Sequence, residues 1–199
     1  MAKLIFYDAG HKYTVDGEEV PSVSELTRFI TREVYESAPQ LAMDRAGSRG
    51  TKIHKASEAI DKYGSAEIED DIAPYLRAYV RFLKDFSPEW ERIEWPVNNG
   101  MLYAGTLDRY GTLSGKRAIL DIKTTASIGT PTKVLYTAAQ NLYRMAIEPE
   151  YAVEALYILQ LKKDGKYRLI ELEIQDELAL SCIALHQALK KKERKKKND

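Results

Sequence analysis

Residues 90–124 constrain the fold more than any other stretch, because they read as three consecutive antiparallel strands. Residues 90–97 are rich in aromatic and branched side chains, and Asn98-Asn99-Gly100 then signals a hairpin turn into residues 101–110. A second turn through Leu113-Ser114-Gly115-Lys116 leads into residues 117–124. If that turn centres between Ser114 and Gly115, Asp108 lies opposite Asp121, and opposed side chains leave the same face with Cβ atoms roughly 4.5–5.5 Å apart. Alternation keeps Lys123 on the face of Asp121 while Leu120 and Ile122 point away. Two carboxylates so close repel by about 4 kcal/mol at an effective dielectric near 20, and a divalent cation is the usual relief. A one-residue slip would send the two aspartates to opposite faces.

Helical patterns flank this centre. A small hairpin over residues 3–20, turned by Asp16-Gly17, precedes a helix start at Pro21-Ser22-Val23-Ser24, where Ser22 or Ser24 is the cap and Glu25 completes a capping box with Ser22. Gly47 and Gly50 are expected to interrupt helical structure, so the next helix is placed at 51–63 and closed by Gly64. A further helix is expected over 72–86, ended by Ser87-Pro88. After the three strands come a loop at 127–132, a helix over 133–147, a strand pair at 151–161 and 167–174, and a last helix from 176 that loses its apolar face after Leu189. This order predicts an α/β fold, a mixed sheet sandwiched by helices. The chain reads as one domain over 1–189: hairpin and helices 1–88, sheet core 89–175, C-terminal helix 176–189, then a basic tail at 190–199.

The formal charge of zero hides that tail. Seven of the 30 basic residues and two of the 30 acidic ones lie in 190–199, which leaves 23 basic against 28 acidic in 1–189, a balance of −5. Such a block serves either as a nucleic-acid arm or as a solvated helix end. The single cysteine, Cys182, sits in an apolar helical stretch and excludes an internal disulfide, a four-cysteine cluster and a cysteine-based zinc site. No apolar run approaches the roughly 20 residues of a membrane span, and Leu4-Ile5-Phe6-Tyr7 is too short for a signal-peptide core, so the expected compartment is the cytoplasm.

Of three histidines, His54 has the most suggestive neighbour: Glu58 lies four residues on, on the same helix face. His11 and His186 have no such support and read as structural. Asp121 stands among Ile119, Leu120 and Ile122, where an unpaired carboxylate costs several kcal/mol. It is either a functional group or half of a salt bridge with Lys123 or Arg109. Gln140 and Tyr143 share a helix face next to Arg144, and are either packing and solvent-facing residues or a polar edge for a phosphate.

Four short motifs occur in order: Gly50-Thr51-Lys52-Ile53-His54, Gly105-Thr106-Leu107-Asp108, Asp121-Ile122-Lys123 and Gln140-Asn141-Leu142-Tyr143. Together they resemble the PD-(D/E)XK nuclease superfamily, in particular its RecB-like, phage-type exonuclease branch, over residues 5–160. The resemblance implies a restriction-endonuclease-like core with a mixed central β-sheet flanked by helices on both faces. It implies a metal-dependent DNA nuclease, an exonuclease of phage-type recombination or DNA end processing. The alternatives are a non-catalytic nucleic-acid-binding or assembly protein on the same fold and a structure-specific endonuclease. By the resemblance, His54, Asp108, Asp121 and the carbonyl of Ile122 would hold Mg²⁺ or Mn²⁺, Lys123 would orient water and steady phosphate charge, and Glu58 would support His54. Gln140, Tyr143 and Arg144 would face the DNA, although the branch spaces its glutamine and tyrosine four apart, which places Arg144 at that position and puts Tyr136 four before Gln140. DNA is the implied partner, with a single-strand annealing or recombination protein and a second copy of the chain as further candidates.

Overall fold

Two-residue turns and interrupted apolar runs partition the described residues into two sheets and six helices. The computed structural model describes residues 3–7, 10, 12–36, 38–148 and 150–198, without the side chains of 193–198; His11 lies outside the described residues. Strands β1 (Leu4–Tyr7), β2 (Lys12–Val15) and β3 (Glu18–Val20) form a three-stranded antiparallel meander that contains the hairpin expected at Asp16-Gly17. Asp16 and Gly17 both take positive φ at the β2–β3 turn, as a tight turn of this hand requires. Ser22 caps α1 (Val23–Leu26) with both bonds of the capping box present. A short α2 (Arg28–Tyr35) comes next.

The third helix, α3 (Gln40–Tyr63), departs from the expectation: it passes through Gly47 and Gly50 instead of starting after them. Glycine lowers helix stability by about 1 kcal/mol without forbidding the helix, and a Cβ at either position would meet only open space. Gly64 ends α3 in the left-handed conformation, and Ser87 does the same for α4 (Ala73–Phe86).

The main sheet contains β4 (Glu89–Asn98), β5 (Ala104–Leu113), β6 (Lys116–Lys123), β7 (Ala155–Leu161) and β8 (Tyr167–Leu172), in that spatial order. Helix α5 (Thr130–Ile147) carries the chain from β6 to β7, the one parallel pair; the other three pairs are antiparallel. Helix α6 (Asp176–Asn198) comes after β8. Alternation along β6 sends Leu120 and Ile122 to one face, where Ile53 of α3 and Tyr79 and Phe82 of α4 cover them. Ile119 goes to the other face, under Leu135 and Tyr136 of α5, with Val34 and Tyr35 of α2 at the margin. The result is the expected α/β class, a mixed sheet with helices on both faces, consistent with a restriction-endonuclease-like core. Among the described residues no helix is long and apolar enough to cross a membrane.

The β4–β5 connection also differs from expectation. Asn99–Tyr103 forms a five-residue link closed by Asn99 N–H donating to Tyr103 C=O at 2.9 Å, and β5 begins at Ala104. Cys182 is buried on α6.

Candidate metal and phosphodiester site

At one end of the main sheet β5 and β6 diverge. Their ladder runs from Leu113↔Lys116 to Arg109↔Leu120, the registry expected from a turn centred on Ser114-Gly115, and then stops. Beyond it, Asp108 and Asp121 face one cleft of about 1000 Å³. The Asp108 carboxylate fills the gap in the ladder: Ile122 N–H donates to its Oδ2 at 2.7 Å. A side chain thus replaces the missing backbone acceptor and fixes the position of that carboxylate.

His54, midway along α3, reaches the same point. Its Nε2 lies 3.1 Å from the Ile122 carbonyl oxygen, and its Nδ1 lies 3.4 Å from Glu94 Oε1 and 3.5 Å from Asp108 Oδ2. Burial opposes the charged imidazole, but Asp108 and Glu94 outweigh it and raise the His54 pKa to about 9. The resulting imidazolium offsets two carboxylates, a role that a divalent cation fills more completely.

Glu94 was not singled out by the sequence. The β4–β5 ladder pairs Ile93 with Arg109 and Trp95 with Leu107, and between those pairs Glu94 and Asp108 do not bond as partners. Glu94 instead adopts a φ of 46°, a region that costs a non-glycine residue about 1–3 kcal/mol and that tends to occur at functional sites. Arg109, wholly buried, holds the carboxylate: Nη1 donates to Glu94 Oε1 at 3.0 Å, Nε to Asp61 Oδ2 at 2.7 Å and Nη2 to Ser57 Oγ at 3.0 Å. Of the two partners left open for Asp121, Arg109 is therefore excluded, and Lys123 takes it, with Nζ 2.6 Å from Asp121 Oδ2.

The donor set fits a hard divalent ion. His54, Glu94 and Asp108 each offer one ligand atom within 4.8 Å of the others. Donors about 2.1 Å from a single ion lie ~3 Å apart when adjacent and ~4.2 Å apart when opposite, so this spacing suits one octahedral ion after small adjustment. Asp121 stands outside this triad, because its carboxylate is turned to Lys123. Burial pushes its pKa up, the Lys123 ammonium pulls it down and Asp108 adds to the rise, to about 6. Lys123 is itself drawn down by burial, yet Asp121 and Asp108 prevail and its pKa is raised, so it remains an ammonium.

The remaining candidates divide. Glu58 lines the cleft but pairs with Lys62 at 2.6 Å. Tyr143 also lines it, and its ring packs directly on Gly105: a Cβ there would lie 2.8 Å from Tyr143 Cε1 and 3.1 Å from Val23 Cγ2. Tyr136 lies alongside, its ring centroid 5.5 Å from Lys123 Nζ. Gln140 and Arg144 are not in the lining: Gln140 is buried, and Arg144 pairs with Glu148 and Asp176. His186 is likewise not among the residues that line the cleft. Gly105→Ala is expected to force the Tyr143 ring aside and to destabilise the protein by about 1–3 kcal/mol, measured by denaturant unfolding.

Neither a protein-family model nor a curated protein matches this chain. Among solved structures it is similar to an alkaline exonuclease, LHK-Exo, from Laribacter hongkongensis, with 15% identity and a TM-score of 0.38 over 73% of this chain and 85% of that one. LHK-Exo in complex with dAMP gives 14% identity and a TM-score of 0.36 over 88% and 94%. A third structure, SSO0001, gives 19% and 0.40 over 84% and 73%.

Proposed function

We propose that this chain is a metal-dependent DNA nuclease that hydrolyses phosphodiester bonds, acting as an exonuclease in phage-type recombination or DNA end processing. One observation carries the reading: two carboxylates from diverging strands, a histidine, a glutamate and an ammonium group converge on a single cleft. The order of the four motifs along the chain supports it.

His54, Glu94 and Asp108 would hold Mg²⁺ or Mn²⁺, with Asp121 and the Ile122 carbonyl beside them. Carboxylate oxygens suit Mg²⁺ and the imidazole shifts the preference toward Mn²⁺. A bound divalent ion supplies Lewis acidity toward a phosphoryl oxygen and toward water. The chain's own groups do the rest. Lys123 presents positive charge to the phosphate as water adds at phosphorus and the bond to the leaving oxygen breaks, an electrostatic contribution available without rearrangement. Asp121 holds that ammonium in place. The rings of Tyr136 and Tyr143 wall the cleft. Arg109 aims Glu94 from behind.

The test is digestion of linear duplex, circular duplex and single-stranded DNA in Mg²⁺ or Mn²⁺, with EDTA as the control. Linear DNA shortened from its ends and circular DNA left intact is the expected result. No metal-dependent cleavage of any substrate, together with no divalent-ion binding by calorimetry, would point instead to a non-catalytic nucleic-acid-binding protein.

A further inference from the structure

A second cleft, of about 430 Å³, opens between α3, the start of α4 and the β7–β8 turn, and is lined by Arg45, Ser48, Arg49, Asp71, Tyr75 and Lys163. Arg45 and Arg49 are four residues apart on α3 and share a helix face. The β7–β8 turn that carries Lys163 is seated against α4, with Gly165 facing the Pro74 carbonyl. Among the described residues Arg45, Arg49 and Lys163 form no ion pair. The carboxylate in the lining, Asp71, is already engaged by Lys52 at 3.5 Å.

Arg49 is held by an aromatic ring rather than by an anion. Its guanidinium lies 5.6 Å from the centroid of Tyr75, and its Nε is buried without a hydrogen bond. A guanidinium stacked in this way is pre-oriented and offers its planar fork to a phosphate or carboxylate. Three unpaired cations in one cleft stand out on a body whose residues 1–189 carry a balance of −5. Arg49 also lines the catalytic cleft, so the two clefts adjoin. Anions held in both at once are most simply neighbouring groups of one polyanion.

We propose that Arg45, Arg49 and Lys163 form a docking point for a backbone phosphate of the DNA strand whose scissile group occupies the catalytic cleft. The assignment rests on the nuclease reading and adds where the substrate is gripped outside the ion site. Arg45 and Lys163 supply screening-sensitive attraction, and Arg49 supplies direction. Because phosphate contacts carry no base information, this grip is independent of sequence.

The experiment is anisotropy of a fluorescein-labelled linear duplex binding to the full chain in Ca²⁺, over a series of salt concentrations. Arg45→Ala/Lys163→Ala is expected to weaken binding about tenfold and to flatten the slope of log affinity against log salt by about 1, since one neutralised phosphate contributes ~0.9. Arg49→Lys is expected to weaken binding several-fold with the slope unchanged, because an ammonium keeps the charge and loses the fork. Arg81→Ala/Lys84→Ala, on the exposed side of α4, removes the same charge elsewhere and is expected to leave the slope as in the unmodified chain. Equal behaviour of the two double variants overturns the docking point. Failure of the unmodified chain to bind DNA overturns the docking point and the nuclease reading together. Absence of metal-dependent cleavage by a chain whose binding still depends on Arg45 and Lys163 overturns the nuclease reading alone.

Discussion

Lys123→Ala is expected to lower metal-dependent cleavage of linear DNA by about 10²–10³-fold while leaving divalent-ion binding largely intact, as measured by steady-state rates and by calorimetry. The magnitude stems from position. The ammonium lies 2.6 Å from Asp121 in a cleft where burial strengthens every charge interaction, and its raised pKa keeps it charged. The proposed ion triad of His54, Glu94 and Asp108 does not include it, which is why binding and rate should separate. Full activity in this variant would remove Lys123 from the mechanism.

Arg109→Met is expected to cost about 3–5 kcal/mol of folding stability, the penalty for leaving a buried charge without its partner. Arg109 has no solvent exposure and the Asp61 side chain has 3%, so neither charge has water to fall back on. Tyr79 O–H donates to the same Asp61 oxygen at 2.6 Å and would be a poor substitute for a guanidinium. Adding Asp61→Leu to Arg109→Met should restore part of the loss, because both ends of the pair then become apolar. Chemical unfolding of the two variants decides the matter: equal stability of Arg109→Met and the unmodified chain would show that the network contributes nothing. Arg109 also aims Glu94, so the single variant is further expected to weaken divalent-ion binding.

The geometry on β5 and β6 was legible because Gly115 marks a tight turn, taking a positive φ of 77° at no steric cost beside Ser114 at 52°. That turn sets the registry and brings Asp108 and Asp121 to one face. Glu94 was hidden by the same logic applied one strand earlier. A tight turn at Asn99-Gly100 would set Glu91, not Glu94, opposite Asp108, whereas the real link extends to Tyr103 and shifts β4 along β5. The length of α3 was missed because glycine is a breaker by propensity only, and nothing local reveals that a helix wall facing open space accommodates two of them. On α5, spacing shows that Gln140 and Tyr143 lie near one another but not how the helix is rotated over the sheet. Tyr143 comes to the cleft, Gln140 is buried away from its lining and Arg144 turns to Glu148 and Asp176.

The bond from Ile122 N–H to the Asp108 carboxylate makes that side chain a stitch between two strands as well as a candidate ligand. The two aspartates are therefore unequal as genetic probes. An inactive substitution at position 108 conflates lost chemistry with an unpicked seam, whereas one at 121, whose carboxylate joins no strand to another, reports on the reaction more cleanly.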